Sequence, residues 1–184
     1  MKKFLVIFVC LYGLLSQQVS AESDSSMVYA SNVEVEDTEE YGFVGIEGGY
    51  LNSLETENKG FFGLRGGVQN SVWRTMFTYE SNFESYQAFL IEADRTVVAG
   101  LMGGKGRIYL GVSGGWIEFY GDKLQDGLMV DFKDYGYAYG GNVGLMFYLT
   151  DQIDMDIGYR YLFTNDSCTY DAIYGFSVSL HYFF

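Results

Sequence analysis

His181 is the only histidine in the 184-residue chain, so any imidazole chemistry must pass through it. Ser177 and Ser179 lie on the same side of its alternating segment, which superficially sets a nucleophile beside a base. Asp122, Asp126, Asp131 and Asp134 fall in the stretch YGDKLQDGLMVDFKD, but their spacing does not match the alternating D-x-D-x-D-G loop that hard cations prefer. A solvated acidic loop is expected there, and no metal is. Cys168, near Asn165, has no basic neighbour in sequence to activate a thiol. No glycine loop is placed to cradle a phosphate, and no cofactor is implied. The remaining candidates are charges that recur at every second position: Glu47, Arg65, Arg74, Glu92, Asp94, Asp154, Asp156, Arg160 and His181. Their chemistry is ion pairing.

The elements that carry these charges alternate with period two from Tyr41 onward, with no helical period. Eight strands are expected near 41–52, 60–69, 71–82, 85–97, 106–120, 134–149, 152–164 and 172–184. Most match or exceed the ~9–11 residues that a tilted strand needs to cross a bilayer. One face is oily throughout, for example Val44 and Ile46, Phe62 and Leu64, Val143 and Leu145, Met155 and Ile157. The last segment, YGFSVSLHYFF, sets Phe176, Val178, Leu180, Tyr182 and Phe184 on one side, a face that suits lipid better than water. The other face carries the charges and many glycines.

Residues 1–21 hold Lys2 and Lys3, the apolar run FLVIFVCLYGLL and then Val19-Ser20-Ala21, which reads as a secretory signal cleaved after Ala21. That run is too short for a spanning helix, and no later segment comes close. Cleavage would remove Cys10 and leave Cys168 alone, so no intramolecular disulfide is expected. It would also leave nine bases against 24 acids, a net charge of −15 that argues against nucleic acid. Seven acids and no base fall in 22–40, expected as an extended, disordered periplasmic leader. Proline is absent, as long unbroken hydrogen-bonded ladders require.

If both ends of the barrel segment 41–184 are periplasmic, Tyr50, Tyr79, Trp116, Tyr137, Tyr161 and Tyr174 fall toward the extracellular ends of their strands. Trp73, Phe147, Tyr182 and Phe184 fall toward the periplasmic ends. Two aromatic belts are expected of a lipid-facing barrel. The outer loops are then 53–59, 83–84, 121–133 and 165–171, and the inner turns Asn70-Ser71, 98–105 and Thr150-Asp151. Eight strands leave a lumen that side chains fill, and charges within it need partners. Hairpin centres chosen from composition set Glu47 across from Arg65, Arg74 across from Glu92 with Asp94 one pair further, and Asp154 across from His181. The narrow lumen favours a structural network over a gated ion or proton path. His181 lies at the periplasmic end, the wrong depth for an enzyme working on the outer leaflet.

These amphipathic, aromatic-ended strands, DMDIGYRYLF and YGFSVSLHYFF among them, resemble the small outer-membrane β-barrel family of OmpX and the OmpA membrane domain, often labelled porin family. The resemblance covers about 41–184. It implies an all-β, eight-stranded antiparallel up-and-down transmembrane barrel in a Gram-negative outer membrane. Its partners would be outer-membrane lipid and lipopolysaccharide, the barrel insertion machinery reading Phe176, Val178, Leu180, Tyr182 and Phe184 as its C-terminal signal during assembly, and an extracellular partner at the outer loops. It implies a structural or surface-interaction role, with no enzyme activity. Because the chain stops at the closing strand, no peptidoglycan-binding domain is expected. The competing readings are a narrow pore for small ions or solutes, a lipid-modifying enzyme, and a secreted lipocalin-like binder of an apolar ligand.

Overall fold

The structure is a computed structural model that describes residues 39–53, 56–125, 128–165, 168 and 170–184. The expected signal at 1–21, and all of the leader except Glu39 and Glu40, lie outside the described residues. Eight strands follow one another: β1 (Tyr41–Ser53), β2 (Thr56–Gln69), β3 (Trp73–Ser81), β4 (Tyr86–Leu101), β5 (Gly106–Gln125), β6 (Leu128–Tyr148), β7 (Ile153–Thr164) and β8 (Ala172–Phe183). Each pairs antiparallel with its sequence neighbour, and β8 pairs with β1, closing an up-and-down barrel.

Paired residues can be followed once around the wall from Tyr41 through Gln69, Arg74, Asp94, Gly111, Asn142, Arg160 and Gly175. The path returns to β1 at Leu51, ten positions beyond its start. At ordinary strand rise and spacing this stagger tilts the strands about 40° from the axis. Closure at that tilt removes every edge along the wall.

Three connections differ from expectation, the first being the outer loop expected at 53–59, where β1 runs to Ser53 and β2 already starts at Thr56. The stretch 121–133 is not an outer loop: β5 and β6 stay paired from Tyr120↔Lys133 to Gln125↔Leu128. This two-stranded ribbon rises beyond the other strands by roughly 15 Å. A ribbon with solvent on both sides needs no one-faced apolar pattern, so alternation fails to reveal it. The turn expected at 98–105 shrinks to 102–105. β4 reaches Leu101 through irregularities at Thr96/Val98 and Val98/Leu101, which use up residues without advancing the register. Met102, Gly103 and Gly104 then turn the chain at φ of 52°, 73° and 96°.

The wall has a defined polarity. Ile157 and Val178 face outward, 42% and 48% exposed, while Asp156 and Arg65 face inward at 0% and 7%. A soluble barrel would show the reverse. The β1–β2, β3–β4, β5–β6 and β7–β8 connections lie at one end of the barrel, the loop end, and the remaining connections at the opposite turn end.

Candidate functional site

The interior is stacked in three layers. At the loop end Tyr86, Ala88, Leu90, Ile117, Phe119, Ala138, Leu162 and Ile173 form an apolar layer, with Leu51, Cys168 and Tyr170 packed against it. At the turn end Phe43, Met76 and Phe183 form a smaller one. Most of the charged side chains lie between them. Inward glycines make room for the middle layer. A Cβ on Gly111 would stand 2.0 Å from Asp94 Oδ1, and one on Gly144 would stand 2.4 Å from the Tyr109 hydroxyl.

Arg65 grips Glu47 with two parallel bonds, Nε to Oε2 at 2.8 Å and Nη2 to Oε1 at 2.7 Å. Such a fork fixes orientation as well as charge. Arg65 also reaches Asp156 at 3.4 Å and Glu92 at 3.6 Å. Arg74 joins Asp94 and Asp156, each at 2.8 Å, and its guanidinium lies over the Tyr109 ring at 4.8 Å. Asn142 donates to the other Asp94 oxygen at 2.6 Å. Thr78 donates to Glu92 at 2.5 Å. Arg160 pairs with Glu80, which also accepts from the Tyr86 hydroxyl, and lies 3.6 Å from Glu92. One connected network therefore runs from Glu47 to Glu80. His181 Nδ1 and Asp154 Oδ1 form a separate pair at 2.6 Å, with the Phe43 ring edge-on to the imidazole.

The expected register needs correction at two hairpins. Arg65 stands opposite Gly45 and Glu47 opposite Gly63, so these side chains meet along a diagonal. Arg74 stands opposite Asp94, and Glu92 faces Met76 on that side. The cause is turn length. The first connection occupies only 54–55 and the second 82–85, which moves each pairing two residues from the composition-based centre. A shift of two keeps every side chain on its face, so Glu47 still pairs with Arg65 and only Arg74 changes partner, from Glu92 to Asp94. Asp154 stands directly opposite His181.

Sequence reasoning places Glu80 on the charged face but gives it no partner, and it misses the apolar loop-end layer altogether. The signal was present in runs that are apolar at consecutive positions, Phe89-Leu90-Ile91, Tyr161-Leu162-Phe163 and Ile173-Tyr174. Such runs mark strands covered on both faces.

Outside, Tyr50, Tyr79, Tyr161 and Tyr174 lie close to the loop-end termini of their strands. Trp116 and Tyr137 are paired at the same level, beside Phe89. Trp116 stacks on Tyr135 at 5.2 Å, and Tyr161 on Tyr174 at 5.8 Å. Trp73, Phe147, Tyr182 and Phe184 gather at the turn end. Val44, Ile46, Leu64, Ile91, Val143, Leu145, Ile157, Val178 and Leu180 fill the space between, a band about 20 Å tall along the tilted strands.

Ser179 is the inward neighbour of His181, but both are buried at 1% exposure, and neither Ser179 Oγ nor His181 Nε2 has a protein partner among the described residues. Among those residues no set of three His, Cys, Asp or Glu is placed to hold a metal ion. Cys168 Sγ meets Asn165 Oδ1 at 3.6 Å. Burial and then Asp134 push its thiol up to about 11.

The structure superposes on neisserial surface protein A (NspA) with a TM-score of 0.53 and 17% identity, covering 81% of this chain and 100% of that one. It superposes on outer membrane protein H (OprH) of P. aeruginosa, determined in DHPC micelles, with a TM-score of 0.55 and 24% identity, covering 78% and 99%. The fold is that of the small outer-membrane barrels. No family model and no curated protein matches the chain. The small-barrel fold accounts for the closed eight-stranded wall.

Proposed function

We propose that the chain is an integral outer-membrane protein of a Gram-negative cell, exported by the 1–21 signal, with a structural or surface-interaction role and a lumen closed to solutes. One observation carries this reading: the wall is oily outside, belted by aromatics at both ends, and ionic within. Hydrocarbon stabilises that arrangement, and water would oppose it. The oily outer face also argues against a secreted lipocalin-like protein. The network and the apolar layer above it fill the narrow interior, which supports closure. An enzyme role finds no support, because the His181–Asp154 pair and Ser179 are sealed away from any substrate.

A narrow ion path is the second reading. Among the described residues six buried carboxylates (Glu47, Glu80, Glu92, Asp94, Asp154 and Asp156) share the interior with three buried arginines and His181, and Asp154 Oδ2 and Asp156 Oδ1 have no protein partner there. An ion crossing would still have to pass Leu90, Ile117, Leu162 and Ile173. Fractionation, heat-modifiable gel migration and planar-bilayer recording test both readings. The expected result is recovery with outer membranes, a mobility shift on boiling and no unitary conductance. Detergent-free solubility would contradict the membrane reading, and discrete channel steps would contradict the closed lumen.

A further inference from the structure

From the level of Trp73 to that of Trp116, the outward face carries a single charged side chain among the described residues. It is Arg95, flanked on β4 by the buried Asp94 and Thr96 and paired with Trp73 on β3 and Leu110 on β5. A guanidinium on an oily wall is expensive unless an anion meets it. No carboxylate among the described residues does so. Its guanidinium lies over the Trp73 ring, 5.5 Å from the guanidinium carbon to the ring centroid. Trp73 belongs to the turn-end aromatic belt, so this pair sits where headgroups begin rather than in mid-membrane. The stem of Arg95 can lie along Leu110 while its head turns toward that interface. The adjoining β4–β5 turn adds the exposed Lys105.

The two rims differ in charge. Beyond the loop-end belt the described, exposed or half-buried charges include Glu84, Asp131, Asp134 and Asp171 against Lys59 and Lys133. At the turn end Arg95, Lys105 and Arg107 stand against Asp151 and the leader's Glu39 and Glu40. Arg107 is occupied, donating to the Ser71 carbonyl at 3.1 Å and lying over the Tyr148 ring. Arg95 is therefore the turn-end cation aimed at the lipid side.

We propose that Arg95 and Trp73 form a binding site for the phosphodiester headgroup of an anionic phospholipid in the leaflet at the turn end. The guanidinium supplies a planar, forked donor that matches phosphate, and the indole holds it in place from below. This inference rests on the membrane reading above and names a lipid partner for its wall.

Trp73 supplies its own reporter once the other tryptophan is removed. Trp116→Phe protein, refolded in zwitterionic micelles, is titrated with brominated phosphatidylglycerol or brominated phosphatidylcholine while Trp73 emission is recorded. The expected result is half-quenching at an about five-fold lower mole fraction of the anionic lipid, the factor matching one basic residue at a membrane surface. That preference should disappear in Trp116→Phe/Arg95→Gln and survive in Trp116→Phe/Lys105→Gln, with heat-modifiable migration confirming that each variant folds. Equal quenching by the two lipids in the parent, or a preference that persists without Arg95, overturns the site while leaving the barrel in the membrane. Absence of quenching by either lipid overturns the site and the membrane reading together.

Discussion

Replacing Arg160 with Met leaves Glu80 and Glu92 short of a cation in an interior that admits little water. Breaking a buried pair from one side costs about 3–5 kcal/mol, so Arg160→Met should lose stability on that scale in urea unfolding within detergent micelles. Adding Glu80→Met removes the stranded charge and should regain most of the loss; a further loss in the double variant would contradict the pairing. At Cys168 the thiol is held well above its ordinary range, so at pH 8 its thiolate fraction is on the order of 0.1%. Alkylation by iodoacetamide should be slow at pH 8 and accelerate as pH rises toward 11, whereas a free-cysteine rate at pH 8 would show that the site is open. At this scale the sequence showed which face each charge occupies, because period two is insensitive to register shifts of two. It did not show partners such as Arg74 with Asp94, because those depend on turn lengths that composition does not set.

The strands divide between those the lipid-facing pattern defines and the ribbon it does not. Strands β1, β3, β7 and β8 lie within two residues of their expected bounds, since one face of each meets a single environment along its whole length. The distal parts of β5 and β6 escape that rule. Their backbone pairing beyond Tyr120↔Lys133 adds nothing to the interior layers. Shortening the ribbon by deleting 122–131 with a two-residue link should therefore change unfolding stability by no more than about 1 kcal/mol, loop length having a weak effect on closure. A barrel that fails to regain heat-modifiable migration after this deletion would mean the ribbon nucleates or braces the wall. The apolar loop-end layer was legible in principle from doubly apolar runs. A strict alternation of oily outside and polar inside hides it, because Leu90, Leu162 and Ile173 are apolar on the inward face.

For the whole molecule, the opposed polarity of wall and interior explains the absence of proline, the abundance of inward glycines and the lack of any spanning helix among the described residues. Long ladders need every N–H, and a tightly curved sheet filled by Arg and Tyr side chains needs bare backbone beneath them. The most direct test is a nitroxide scan in phospholipid vesicles. Labels at Ile157 and Val178 are compared with an inward label at the neighbouring Ser177 for collision with oxygen and with a water-soluble nickel complex. Outward labels should favour oxygen, with accessibility to nickel rising only toward the two aromatic belts, and the inward label should be shielded from both. Strong collision of the nickel complex with Ile157 and Val178 labels at mid-wall would place water against the oily face and contradict the account.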